Sequence, residues 1–152
     1  MPEINTAELR KLSQQHAYAS LQMHEAIARK AGFSGTDHKY LGFFLQKGKL
    51  TAGQLAELSG LTTGAVTGLI DRFEKKKLVK RQFDKSDRRK VFIVPDNKKI
   101  LGLLQPYYKD FQKNTDRLIA TFSPTEQKSL ATFFEGYIKL LSDTTDHLNK
   151  IS

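Results

Sequence analysis

The chain has 152 residues, 39% of them hydrophobic and 27% charged, the make-up of one soluble, core-forming domain rather than of a disordered tract. It has no cysteine, which excludes disulfides, thiolate-held zinc and a cysteine nucleophile, and no apolar run approaches the roughly 20 residues that cross a bilayer. Net charge is +9, and residues 72–90 alone hold ten bases against three acids. A charge run is usually a solvated face, but one this concentrated points to a polyanion partner once its surroundings agree.

Leu9, Leu12, His16, Ala19, Met23, Ala26 and Lys30 recur at spacings of three and four, which predicts a long amphipathic helix from Thr6 to Lys30 with Gly32 just past its end. A second helix is predicted from Asp37 to Lys47, capped by Thr36 or Ser34, with Tyr40, Leu41, Phe44 and Leu45 inward. Thr51-Ala52-Gly53-Gln54 has the form of a capping box and opens a short helix with Leu55 and Leu58 expected inward. Ser59-Gly60-Leu61 is a tight turn, and Thr62 caps a further helix from Thr63 to about Lys76 with Val66, Leu69, Ile70 and Phe73 buried. Two short helices joined in this way form a helix-turn-helix. The β-rich segments Leu78–Phe83 and Lys90–Val94 flank a polar turn cluster, a hairpin that Pro95 ends. Ile100, Leu101, Leu104, Tyr108, Phe111, Leu118, Ile119 and Phe122 mark one long helix, which Pro106 should bend. Ser123-Pro124-Thr125-Glu126 restarts the chain as a final helix with Leu130, Phe133, Phe134, Tyr137, Ile138, Leu141 and Leu148 along one side. The predicted fold is mainly α with a small β-wing: a winged helix-turn-helix core flanked by long helices.

A helix-turn-helix offers its second helix to the major groove. With its apolar stripe inward, that helix presents Thr63, Gly64, Thr67, Gly68, Asp71 and Arg72 outward, with Thr62 at its cap. Threonine can give a hydroxyl or a methyl to a base edge, and arginine can reach guanine or a phosphate. The two glycines fit either tight helix packing or close approach of the backbone to DNA. At the hairpin tip, Arg89 is suited to a minor groove and Asp87 to holding its guanidinium, whereas Lys80, Arg81, Lys85, Arg88 and Lys90 suit phosphates. An ordinary solvated turn is the competing reading. Phe33, Tyr40, Phe44, Tyr107, Tyr108 and Phe111, with His16 on the first helix, are candidates for lining an apolar ligand pocket or, equally, for plain core.

Residues 50–94 resemble the winged-helix core of the MarR family of bacterial transcription regulators. The motifs are Leu55-Ala56-Glu57-Leu58 in the first short helix, Asp71-Arg72-Phe73-Glu74 in the recognition helix, and Asp84-x-x-Asp87-Arg88-Arg89 in the wing. The length and the helical flanks also match. The resemblance implies one domain over 1–152, with 33–97 as the DNA-binding core and 1–32 and 98–152 as a helical dimerisation region. It also implies an intertwined homodimer on a pseudo-palindromic operator, commonly a repressor released by a small aromatic or phenolic ligand. The sequence departs from the family in two places. Lys77 stands where a glycine usually follows the recognition helix, so that turn is expected to differ, and Val94-Pro95 stands where Leu-Thr usually follows the second wing strand.

Other chemistries lack support. There is no phosphate-binding GxxxxGK[ST] loop and no nucleophile elbow, so no enzyme and no cofactor are expected. His24, Glu25 and His38 could meet between two helices, but scattered histidines without metal-ligand spacing read as ordinary ones, and no metal site is assigned. The opening MPEINTAELRKLSQQ has no apolar stretch, so the expected place of work is the cytosol, on nucleoid DNA, and not a membrane. Two rival functions remain: a non-specific architectural DNA-binding protein, and a helical dimeric adaptor.

Overall fold

A computed structural model describes residues 4–151. The elements run α1 (Thr6–Lys30), α2 (Gly35–Lys47), β1 (Leu50–Thr51), α3 (Ala52–Ser59), α4 (Thr63–Lys75), β2 (Val79–Phe83), β3 (Val91–Pro95), α5 (Asn97–Ile119) and α6 (Pro124–Lys150). Tertiary contacts gather into two compact units, one ending at Tyr108 and one beginning at Lys109, with α5 running from the first into the second.

The helices start where side-chain oxygens can satisfy orphan amides. Asn5, Ser34, Thr51, Thr62 and Ser123 each accept a hydrogen bond from the backbone three residues on. Thr51 with Gln54, and Ser123 with Glu126, form complete capping boxes. α2 starts two residues earlier than its apolar pattern suggests, because the Ser34 cap and not Thr36 sets its origin. α5 continues through Pro106.

The first unit encloses the core. Leu41, Phe44, Leu55, Leu69, Ile70, Phe73, Leu78, Ile93 and Ile100 are fully buried, and Phe44 meets Phe73 edge to face at 6.5 Å between centroids. α4 supplies four of its buried side chains on one stripe, Val66, Leu69, Ile70 and Phe73. That stripe turns the opposite face of α4 outward. The sheet has three antiparallel strands in the order β1-β3-β2. β2 pairs with β3 from Val79 opposite Pro95 to Phe83 opposite Val91, and β1 joins the other edge of β3 with Leu50 opposite Ile93. Pro95 fits because it closes the strand as its last residue.

The turn after α4 keeps the geometry that a glycine would take. Lys77 has φ +57°, its amide bonds Glu74 O, and the Leu78 amide reaches back to Phe73 O. These two bonds form a Schellman motif, and Leu78 and Phe73 supply its apolar clasp from the core. The expected difference at this turn is therefore absent from the backbone; lysine adopts the left-handed conformation instead.

In the second unit, no residue of α6 is buried. Leu118, Phe133, Phe134, Ile138, Leu141 and Leu148 are all exposed within the single chain.

Candidate nucleic-acid interface

α4 presents Thr63, Gly64 and Thr67 to solvent beside its cap Thr62. The Thr62 hydroxyl accepts from Ala65 N at 3.3 Å, and Thr67 Oγ1 donates to Thr63 O at 3.0 Å. Each hydroxyl is thus held in one direction while keeping capacity for a further partner. A methyl group placed on Gly64 would meet nothing within 4 Å, and one on Gly68 would meet only an Arg72 terminal nitrogen at 3.7 Å. Neither glycine is required by packing inside the chain. Their smallness bares the helix backbone on the outward face.

Arg72 does not swing freely. Asp37, buried at the start of α2, takes its Nε at 3.3 Å and one terminal nitrogen at 3.0 Å. The fork fixes the plane of the guanidinium while leaving the side chain 57% exposed. Arg81, expected among the phosphate ligands, projects from β2 back to α4. Its terminal nitrogens pair with Asp71 at 2.6 Å and Glu74 at 2.7 Å, and Glu74 also accepts from the Arg81 amide. It ties the wing to the recognition helix.

The wing tip is built on its own carboxylates. Asp84 accepts from the Ser86 amide and hydroxyl, and that hydroxyl bond above all holds the Asp84 carboxyl below its usual pKa. The Asp84 amide then bonds Lys90 O, and Lys90 N bonds Asp87 O. Asp87 Oδ1 accepts from both the amide and the Nε of Arg89, the latter at 3.2 Å. Arg89 is 92% exposed, aimed outward from a short, tied loop. Lys85, Arg88 and Lys90 are exposed beside it, Lys80 is exposed near the start of β2, and the Lys90 ammonium lies over the Phe92 ring at 5.3 Å.

The candidate ligand-pocket residues have different surroundings. Phe33, Tyr40 and Phe44 are buried as core, Tyr107 is exposed with its hydroxyl on Lys30 O, His16 is exposed on α1, and Phe111 belongs to the second unit. A groove of about 650 Å³ does lie along Phe33, Ser34, Asp37, Arg72 and Lys76, with the Lys76 ammonium over the Phe33 ring at 4.5 Å. Tyr108 instead meets the two histidines that metal-ligand spacing passes over. Its hydroxyl lies between His24 Nδ1 and His38 Nε2. The third member of that group is Tyr108 and not Glu25, and among the described residues no three metal-ligating side chains converge. The ion-pair roles of Asp37, Asp71 and Glu74 escape a reading of the sequence because their partners sit on other elements, where spacing carries no signal.

The MarR family model matches residues 31–90, the span of α2, the helix-turn-helix and most of the wing. An uncharacterised HTH-type transcriptional regulator of Bacillus subtilis strain 168, YcgE, is 32% identical over 130 residues, covering 84% of this chain and 82% of the relative. The chain belongs to the MarR family of transcription regulators. Structures of MarR-type fold agree with its architecture. One is a point mutant of S. aureus MepR bound to an oligodeoxyribonucleotide, 20% identical, with a TM-score of 0.56 over 91% of this chain and 99% of that one. Another is Bordetella bronchiseptica BpsR, whose DNA binding is regulated by 6-hydroxynicotinic acid, 15% identical, with a TM-score of 0.55 over 90% and 97%. At these identities the likeness is one of fold. This MarR-family chain is a DNA-binding winged-helix regulator and not an enzyme. Among its described residues, no helix is long and apolar enough to cross a membrane.

Proposed function

We propose that the protein is a cytosolic, homodimeric repressor that reads a pseudo-palindromic operator in duplex DNA. Residues 33–97 serve as its DNA-binding core, and 1–32 and 98–152 hold the dimer. The observation that carries this reading is the pairing of two surfaces on one unit: an α4 face bared by Gly64 and Gly68, and a wing whose exposed Arg89 is aimed by Asp87. A small-residue helix face suits the floor of a major groove, and a pre-aimed guanidinium suits the narrow minor groove beside it. Thr62, Thr63, Thr67 and Arg72 then face bases and the adjoining phosphates, while Lys80, Lys85, Arg88 and Lys90 face backbone. Binding of MepR to an oligodeoxyribonucleotide supports the same use of the fold.

The test is selection of bound fragments from random duplexes by the full chain, followed by titration of the winning duplex. A palindromic consensus is expected. Arg89→Ala is expected to cost roughly 1–3 kcal/mol on that duplex, and Lys85→Ala to lower the salt slope by about one for all duplexes. Equal affinity for every sequence would instead make the protein an architectural DNA binder, and no duplex binding at low salt would make it an adaptor.

Release by a small aromatic acid or phenol is the remaining part of the reading. The regulation of BpsR by 6-hydroxynicotinic acid supports it. Titrating such compounds against the protein–duplex complex checks it, because a ligand releases DNA only if it prefers the DNA-free state.

A further inference from the structure

Three titratable side chains from three helices meet inside the first unit, and DNA reading uses none of them. His24 comes from α1, His38 from α2 and Tyr108 from α5. The imidazoles stack at 5.5 Å between centroids with 28° between their planes, and the phenol ring lies 5.6 Å from one and 6.2 Å from the other. The hydroxyl is 3.0 Å from His38 Nε2 and bonds His24 Nδ1 on its other side. We propose that His24, Tyr108 and His38 form a proton-operated latch that joins α1, α2 and α5 and opens when both imidazoles are protonated, loosening the hold of α2 on the recognition helix.

The hydrogen-bond inventory sets the stoichiometry. A phenol has one proton to donate and an oxygen to accept with. With both imidazoles neutral, one ring accepts the phenol proton and the other donates to the oxygen. With one imidazolium, the charged ring donates and the neutral ring still accepts, so the latch stays closed. A second proton leaves two donors, a phenol proton with no acceptor, and two positive charges on stacked rings. Burial raises the Tyr108 pKa, so its proton stays in place throughout. Burial first, and the charge of His24 second, lower the pKa of His38, so His38 takes its proton only below the usual imidazole range. Among the described residues, the groups facing one another here are these three, and no ion pair places a carboxylate on either imidazole.

The sign follows by linkage. The unfolded chain protonates His38 near the usual value of about 6.5, and the folded chain does so lower. The stability associated with neutral His38 is therefore full above that usual value and is lost as pH falls through the folded one. The route to DNA is one residue long. Asp37 precedes His38 on α2, and its buried carboxylate grips Arg72 of α4. A shift of α2 carries that grip with it.

The test is ring-nitrogen NMR of the full chain in chelator-treated buffer, from about pH 8 to pH 5, with no DNA present. His38 is expected to titrate below the usual imidazole range and to move up in His24→Gln. The Arg72 Nε and its proton are expected to change chemical shift, away from the values of the Asp37-bound guanidinium, with the same midpoint as His38. Tyr108→Phe, which removes only the hydroxyl, is expected to leave the Arg72 shift at its low-pH value at both ends of the range. A His38 midpoint at the ordinary value, or an Arg72 shift that does not move with the His38 titration, overturns the latch. A second arm rests on the DNA-binding reading above. Affinity for the selected duplex is expected to fall about tenfold between neutral pH and about pH 5.5, and to fall much less in the His24→Gln/His38→Gln double variant. An equal fall in both proteins overturns the coupling to DNA. If no duplex binds at any pH, the DNA reading fails while the NMR arm still decides the latch.

Discussion

Lys77 holds a left-handed conformation, at φ +57°, that costs a side-chain-bearing residue roughly 1–2 kcal/mol. The Schellman bonds on either side of it and the buried Leu78–Phe73 contact hold it there. Lys77→Gly relieves the strain but adds freedom to the unfolded chain, so a net gain of up to about 1 kcal/mol is expected, read as a higher midpoint in denaturant. Gly68 is the opposite case. It lies inside α4 with an ordinary helical backbone, and a Cβ there would make only ordinary contact, at 3.7 Å, with the end of the Arg72 side chain. Gly68→Ala is expected to stabilise the fold by up to about 1 kcal/mol and yet to weaken binding to the selected duplex. A stabler protein with unchanged affinity would show that this face stays clear of DNA.

At the scale of elements, the wing and the recognition helix are one body because Arg81 joins them. Its partners are half-exposed, so the ion pairs themselves contribute only about 0.5–1 kcal/mol. Position is the larger effect, since Arg89 can find its groove only if the strands that carry it keep their angle to α4. Arg81→Ala is therefore expected to weaken DNA binding with no change in the salt slope. A slope lower by about one would mark Arg81 as a phosphate ligand instead. The small strand β1 is invisible to periodicity because Leu50-Thr51 is too short to show alternation. The capped starts of α3, α4 and α6 are legible, because each cap and its amide lie three residues apart.

At the scale of the whole molecule, the uncovered apolar side chains argue for a second copy. Ile138 and Leu141 are 63% and 52% exposed on a helix with no buried residue, a surface that a monomer rarely keeps. A dimer is expected at micromolar concentration by light scattering. Ile138→Asp with Leu141→Asp is expected to give a folded monomer with much weaker operator binding, because two half-sites about one DNA turn, roughly 34 Å, apart need two linked recognition helices. A full-length monomer would remove the homodimer from the proposed function.

The helices, their caps, the wing and the family can be read from the amino-acid order alone, because they depend on periodicity and on bonds that close within three or four residues. That order also places Asp87 two residues before Arg89, near enough to hold it. Which charges are free and which are struts is decided by packing. Asp37 reaches Arg72 across 35 positions, and Tyr108 reaches His24 and His38 across 84 and 70. The same packing buries Phe44 completely. Such pairings follow from how α1, α2, α4 and α5 pack, and a helical stripe records that a face is buried without recording what buries it.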